Sequence, residues 1–332
     1  MTEQEWRGVL YPFLSRVVTD LLLVAVPKNR RVVVVEPMVA PSTVRAALAH
    51  VLLNELAFHA VLFVPGPISI PYALSSPTSP NTQQQPKLLI DIGATEARIV
   101  AVEGGRYLMD TFQAVPCGFH TLASTWMDLV NKNNAKTTQD QDITIRIPTL
   151  QDAMRLLSQV LLVPAKQSSQ AIVASLSTTD SISLDPTLVM ELVEELYFNS
   201  NNPESLVCGM LESLRQCPLD LKLPLAQSMV VVGGGSLAIP NLEKRLLEAL
   251  SSISVPQKYA SLSPILSKAS LVSPLPIPPH TIAWVGASIL ASLELKDEYW
   301  MTIPEPPQPT DEIMVSSSTV SSPIVRDFFQ IK

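Results

Sequence analysis

Four consecutive valines, Val32–Val35, follow the helix-breaking run Pro27-Lys28-Asn29-Arg30. β-Branched side chains favour extended backbone, and an apolar run without alternation suits a strand covered on both faces. A central parallel strand is therefore expected here. Upstream, Trp6, Leu10, Phe13, Leu14, Val17 and Leu21 recur near helical spacing, which predicts an amphipathic helix over residues 5–25. Downstream, Pro41-Ser42-Thr43 opens a helix running to about Leu56, and Val61–Val64 form a second short buried strand. Strand, helix and strand in that order imply a parallel sheet covered by helices.

The rhythm then changes. Residues 75–86 are Ser, Pro, Gln and Asn with almost no apolar side chain, the composition of a mobile insertion. Leu88–Asp91 is the next strand, Ala97–Val102 its antiparallel hairpin partner, and Gly104-Gly105 a turn into a strand over Tyr107–Phe112. Val130–Ile145 is polar and irregular. Helical patterns follow over 149–163, 186–198 and 203–216, then a buried strand, Met229–Val232, three glycines, and a helix from Pro240. Ile282–Leu293 is the last well-patterned helix, and after Ile303 the chain turns to Pro and Ser, a loosely held tail. No internal repeat is present.

Composition narrows the function classes. Twenty-three Lys and Arg against thirty Asp and Glu leave a net charge of −7, with no cationic surplus for nucleic-acid phosphates. The longest apolar run near the acidic N-terminus is Leu21–Val26, far short of the ~18 residues a spanning helix needs. Cys117, Cys208 and Cys217 are sparse, odd in number and form no C-x-x-C pair, which fits reduced thiols of an intracellular protein.

Two stretches carry chemistry. In Asp91-Ile92-Gly93-Ala94-Thr95 a strand delivers a carboxylate into a glycine turn before a second strand begins. Some ATPases wrap a phosphate in this way, with turn N–H groups on the anion and the carboxylate orienting magnesium-bound water. Taken alone, such a turn is more often only a turn. In Val232-Gly233-Gly234-Gly235-Ser236 a glycine loop leaves a buried strand, where a ligand can approach the backbone closely. The loose G-x-G-x-x-A match through Gly233, Gly235 and Ala238 lacks the acidic residue a dinucleotide site needs about 20 positions on. No G-K-[ST] or G-x-S-x-G segment occurs, and His50, His59, His120 and His280 do not cluster at metal-ligand spacing.

In order, these pieces resemble the actin family. The most specific segment is Trp284-Val285-Gly286-Ala287-Ser288-Ile289-Leu290-Ala291-Ser292-Leu293, nearly letter for letter the late W-[IV]-G-G-S-I-L-A-S-L helix of actins. Two further segments look closest to the branch found at the pointed end of dynactin: Lys28–Glu36 with the helix after it, and Glu212–Asp220 with its Cys217-Pro218-Leu219-Asp220 turn. The resemblance covers roughly residues 5–125 and 203–300, and 126–202 is poorly matched.

The resemblance implies an α/β, actin-like ATPase (ribonuclease H-like) fold of two lobes. Residues 1–85 would be a first lobe lacking its N-terminal strands, and 86–280 the second lobe, with a reduced subdomain at about 126–202. Residues 281–302 would return to the first lobe, and 303–332 would be the tail. Asp91, Gly93 and Thr95 would belong to the second phosphate hairpin, and Gly233, Gly234, Gly235 and Ser236 to the adenosine loop of a vestigial ATP/ADP cleft. The first phosphate hairpin would precede the first helix and is expected to be missing. Ala94 and Thr95 replace the family's Asp-Gly, and Arg98 stands where actins carry a water-positioning His. Gly66-Pro67 stands where the water-positioning Gln should lie. Since positioning and charge neutralisation account for nearly all phosphoryl-transfer catalysis, the expectation is a non-catalytic subunit with no catalytic residue, metal or required cofactor. Its implied partners are actin-related filament subunits and the pointed-end subunits of dynactin, with dynein indirectly. The implied setting is the cytoplasm and cytoskeleton, with neither nucleic acid nor membrane insertion. A nucleotide-binding actin-like ATPase, or an actin-related subunit of another complex such as a chromatin remodeller, is the alternative.

Overall fold

The computed structural model describes residues 1–74, 85–137, 147–161, 172–175, 181–184, 186–252, 256–293 and 295–303. The insertion expected at 75–86 lies outside these residues except at its last two positions, and so does the tail beyond 303. The chain divides into two compact units, Met1–Ala73 with Ala283–Lys332, and Leu74–Ile282.

The first unit opens with α1 (Glu3–Arg16), which Thr2 caps by accepting from Glu5 N while the Glu5 carboxylate accepts from Thr2 N. One wider turn, Val17–Leu21, continues it. Its apolar stripe is covered less than the spacing implies: Trp6, Leu10, Leu14 and Val17 are half-buried, whereas Phe13 and Leu21 are exposed. Strand β1 (Arg31–Glu36) leads to α2 (Ser42–His50), which runs on through Val51–Glu55, and then to β2 (Ala60–Pro65). β1 and β2 pair in parallel, Val33 opposite Leu62, as strand–helix–strand patterning requires. The expected centrality of β1 is corrected. Val32–Val35 are only half-buried, while Val61–Val64 of β2 are fully buried and β2 also bridges Met301. Among the described residues β1 has β2 on one edge and no partner on the other, so two-faced apolarity marked the sheet correctly and its middle strand wrongly. A helix absent from the sequence reading, α3 (Gly66–Leu74), follows β2 directly.

The second unit is built on a four-stranded sheet. Strands β3 (Lys87–Ile92), β4 (Ala97–Glu103) and β5 (Arg106–Val115) form an antiparallel meander. Where the β4–β5 register shifts between Ile99 and Ala101, buried Thr111 accepts from Ala101 N (2.9 Å) and donates to the Leu108 carbonyl (2.7 Å). Helix α4 (Phe119–Thr137) reaches well into the stretch expected to be irregular, because Leu122, Ala123, Trp126 and Val130 present a buried face at helical spacing. Then come α5 (Leu150–Leu161), the short antiparallel pair β6 (Ile172–Ser175) and β7 (Ser181–Leu184), and α6 (Pro186–Val193), which continues to Phe198. Helix α7 (Leu206–Gln216), capped by Ser205, and α8 (Leu219–Ala226) deliver β8 (Met229–Val232), which pairs in parallel with β3. The order is β5-β4-β3-β8. A 3₁₀ turn at Gly234–Ala238, α9 (Leu242–Ser252), a further 3₁₀ turn at Gln257–Leu262 and α10 (Ser263–Leu266) complete the unit. Trp126, Tyr197, Leu156 and Leu211 are among the large side chains of its core.

The last helix, α11 (Ile282–Ser292), returns from Ala283 to the first unit. Its Gly286 lies against the backbone of Ser69 in α3, where a Cβ would overlap the Ser69 carbonyl. The Ser69 hydroxyl donates to the carbonyls of Gly66 and Ala283, each at 2.8 Å. This crossing accounts physically for a glycine within the W-V-G-A-S-I-L segment. No helix of the described residues is long and apolar enough to cross a membrane.

Candidate functional site

The site is assembled where two parallel strands of the second unit end side by side. Asp91 of β3 is in register with Val232 of β8 and, across the antiparallel edge, with Arg98 of β4. β3 turns through a hairpin closed by Gly93 N donating to the Glu96 carbonyl at 3.0 Å. β8 runs straight into Gly233.

Helix α4 braces the hairpin tip. Phe119 N donates to the Gly93 carbonyl (3.2 Å), His120 N to Ala94 (2.6 Å), and Gly118 N to Thr95 (3.3 Å). The Thr121 hydroxyl also donates to the Thr95 carbonyl at 2.6 Å. Gly118 permits this closeness, because a Cβ there would overlap the Ala94 carbonyl and the Thr95 backbone. In a trans peptide the C=O and N–H point oppositely. Turning three successive carbonyls onto α4 therefore aims the N–H groups of Ala94, Thr95 and Glu96 away from it, as a backbone anion cradle requires. A second support comes from α6, whose continuation places buried Tyr197 so that its hydroxyl donates to the Cys117 carbonyl at 2.6 Å. Neither brace was legible in the sequence: Gly118 sits in no motif, and the Tyr197–Cys117 contact spans 80 positions.

The glycine loop has two kinds of glycine. Gly233 adopts φ +90, and a Cβ on it would overlap the Asp91 carboxylate and the Ile92 carbonyl. A Cβ on Gly235 would come within 2.7 Å of Ile92 Cγ2 and 3.0 Å of the Gly93 carbonyl. Packing against the hairpin, rather than access for a ligand, thus demands glycine at both positions. Gly234 is different, since a Cβ there would meet nothing nearer than His280 Cβ at 3.9 Å. The Ser236 hydroxyl is turned back onto the Gly233 carbonyl at 2.7 Å, and Gly233 N donates to Pro279. Asp91, Gly93, Gly233 and Gly235 therefore form one packed cluster, with Thr95 exposed at the hairpin tip and Gly234 and Ser236 in the loop beside it.

Charge at the cluster is nearly self-cancelling. Burial pushes the Asp91 carboxyl above its ordinary range, and the facing Arg98 guanidinium only partly opposes this. Arg98 in turn is held by Glu96, Nε to Oε1 at 2.7 Å. Glu96 was missed by the sequence reading; it lies in the hairpin turn just before β4, two positions ahead of Arg98. A phosphate group approaching this hairpin would meet two carboxylates and a guanidinium that is already paired. In the first unit, Gly66 and Pro67 open α3 and bring no amide side chain. Among the described residues, no group of three or more His, Cys, Asp and Glu side chains gathers to hold a metal ion.

The Glu212–Asp220 segment forms a separate polar cluster. Glu212 accepts from Arg215 and from Lys258 (2.7 Å), Gln216 (3.1 Å) and Tyr259 (3.2 Å), and the Arg215 guanidinium foremost among these holds its carboxyl down at about 2. The turn that follows leaves Leu219 83% exposed, the most exposed large apolar side chain among the described residues.

Parallel strands ending together, one in an Asp–Gly hairpin braced by a helix and one in a glycine loop, define an α/β protein with phosphate-loop architecture. The family model for actin matches residues 9–159 and 164–305, so the chain belongs to the actin family and has its actin-like ATPase fold.

Proposed function

We propose that this chain is a non-catalytic actin-related subunit, incorporated at the pointed end of the dynactin filament in the service of dynein-driven transport in the cytoplasm. The observation that carries the non-catalytic part is the Glu96–Arg98 pair. It ties up the side chain standing where the resemblance places a water-positioning His, so that nothing on β4 is left to orient an attacking water. The assembly part rests on where the two dynactin-like segments lie. Lys28, Asn29 and Arg30 are exposed at the start of β1, and Pro218, Leu219 and Asp220 are exposed at the start of α8. Segments that distinguish a branch while standing at the surface are suited to contacts between subunits. A diverged end subunit stops a head-to-tail assembly by keeping one joining surface and altering the other.

The backbone cradle supports a second reading, in which the chain retains a nucleotide without turning it over. Both readings are separable by one preparation. The tagged full chain, isolated from its host, is expected to bring down dynactin subunits in near-equal amounts and to release no phosphate from ATP above the blank. Recovery without dynactin subunits would overturn the assembly reading. Phosphate release at a rate like that of ordinary actin would overturn the non-catalytic one.

A further inference from the structure

Among the described residues, one flank of α1 is left uncovered. The helix packs on α2, and Leu14 and Val18 join the apolar cluster of the first unit. Beside that contact Val9 and Phe13, one turn apart on the same flank, are exposed next to half-buried Trp6, Leu10 and Val17. The flank runs on into Leu21, Leu22 and Leu23, which are 72%, 63% and 77% exposed. Leu23 holds φ +51, the left-handed position that glycine ordinarily takes after a helix. Leu22 N donates to the Val17 carbonyl (2.9 Å) and Val24 N to the Val18 carbonyl (3.0 Å), which fixes Leu23 there with its side chain in solvent. A strained leucine that gains no burial, at the end of an apolar flank, marks a surface that something covers.

The chain's own sequence supplies a cover. Residues 304–322 are rich in Pro and Ser, but the pattern changes after them. Ile324, Val325, Phe328, Phe329 and Ile331 fall on one face at helical spacing, and Arg326, Asp327 and Gln330 on the other. Ser322 before Pro323 is an N-cap and first-turn signal. So short an amphipathic helix is marginal by itself in water and forms by burying its apolar face. The described residues end at Ile303, just after Met301 bridges Val61 of β2 within the first unit. Residues 304–322 can extend to roughly 60 Å, about twice the ~30 Å width of a compact body of that unit's size. Every face of the first unit is therefore within their reach. We infer that residues 323–331 of this chain dock as a helix on the flank of α1, laying Ile324, Val325, Phe328 and Phe329 on Val9, Phe13 and Leu21–Leu23. Attachment through the same chain holds the segment at high effective concentration, so a small apolar contact suffices.

Hydrogen exchange on the full chain, read by mass spectrometry, tests the docking. The amides of Asp327–Ile331 are expected to exchange at least tenfold more slowly than those of an unstructured chain. Phe328→Asp alters the segment, and Phe13→Asp alters α1 at a position that is already exposed. Each is expected to return the segment to the unstructured rate while β2 stays as protected as in the parent. The parent's protection is expected to be independent of protein concentration, with the chain sedimenting as a monomer. The inference is overturned if the segment of the parent exchanges at the unstructured rate, or if Phe13→Asp leaves its protection unchanged. Protection that appears only with a dimer would overturn it too, by making a second copy the occupant.

Discussion

Gly233 stands against the carboxylate of Asp91 so closely that no side chain fits between the end of β8 and the end of β3. The glycine is doubly required, since it also holds φ +90, a conformation that L side chains rarely adopt. Gly233→Ala should therefore lower unfolding stability by about 2 kcal/mol or more, combining backbone strain with overlap on Asp91 and Ile92. Gly234→Ala is the control, because the space beside it is open to 3.9 Å. Its effect should stay within about 1 kcal/mol. Urea denaturation of the two variants reads the difference directly, and equal losses would refute this account of the loop.

Asp91 itself should be a liability to stability. A carboxyl whose folded pKa is raised binds its proton more tightly in the folded state than in the unfolded one. Stability then falls as pH rises from the ordinary value of 3.8 through the raised folded value, and the penalty persists above it. Asp91→Asn removes the ionisation with little change of shape. The variant is expected to melt higher than the parent at pH 7, with the gap closing as pH falls to 3.8. A lower melting temperature at pH 7 would mean that Arg98 overcomes the burial of this carboxylate.

Glu212 has the opposite sign. Held at about 2 against its ordinary 4.5, it contributes stability that is complete above 4.5 and lost as pH falls through about 2. Its side chain is only 16% exposed, although Arg215 and Lys258 are far more open to solvent, so part of their attraction is screened. Glu212→Gln should cost about 1–2 kcal/mol at pH 7. The difference should shrink steadily in unfolding titrations taken from pH 4.5 down to 2. A pH-independent difference would place the effect in packing rather than in charge.

Much of the fold was legible because strand and helix periodicities differ. Val61–Val64, Leu88–Asp91 and Met229–Val232 could each be read as buried strands, and the two glycine turns as their exits. Long-range packing was not legible. Whether Val32–Val35 or Val61–Val64 sits in the middle of its sheet depends on which strand Met301 meets, about 240 positions away from it. Helix α4 was not legible, because Val130–Ile145 is polar on average and the helix's covered face depends on Trp126 and Val130 meeting the core. At the site, residue types were readable and charge balance was not. Arg98 is conspicuous in sequence, but the partner that neutralises it, Glu96, becomes evident only once the hairpin turn ahead of β4 brings its carboxylate onto the guanidinium.

That neutralisation leads to the last prediction. Around the hairpin tip the groups are one desolvated carboxyl, Asp91, and a closed Glu96–Arg98 pair, so an incoming phosphate finds backbone donors and no net positive charge. Replacing Glu96 by Gln removes one negative charge within the cradle and releases the Arg98 guanidinium, whose fork suits a phosphate. Glu96→Gln should therefore tighten ATP binding about tenfold, or ~1.4 kcal/mol, when followed by equilibrium dialysis at low salt, with the gain eroding at higher salt. It should not create turnover, because a guanidinium anchored on a phosphate is in no position to orient a water. A variant that binds no better than the parent would show that the Glu96–Arg98 pair is not what sets the affinity of this cradle.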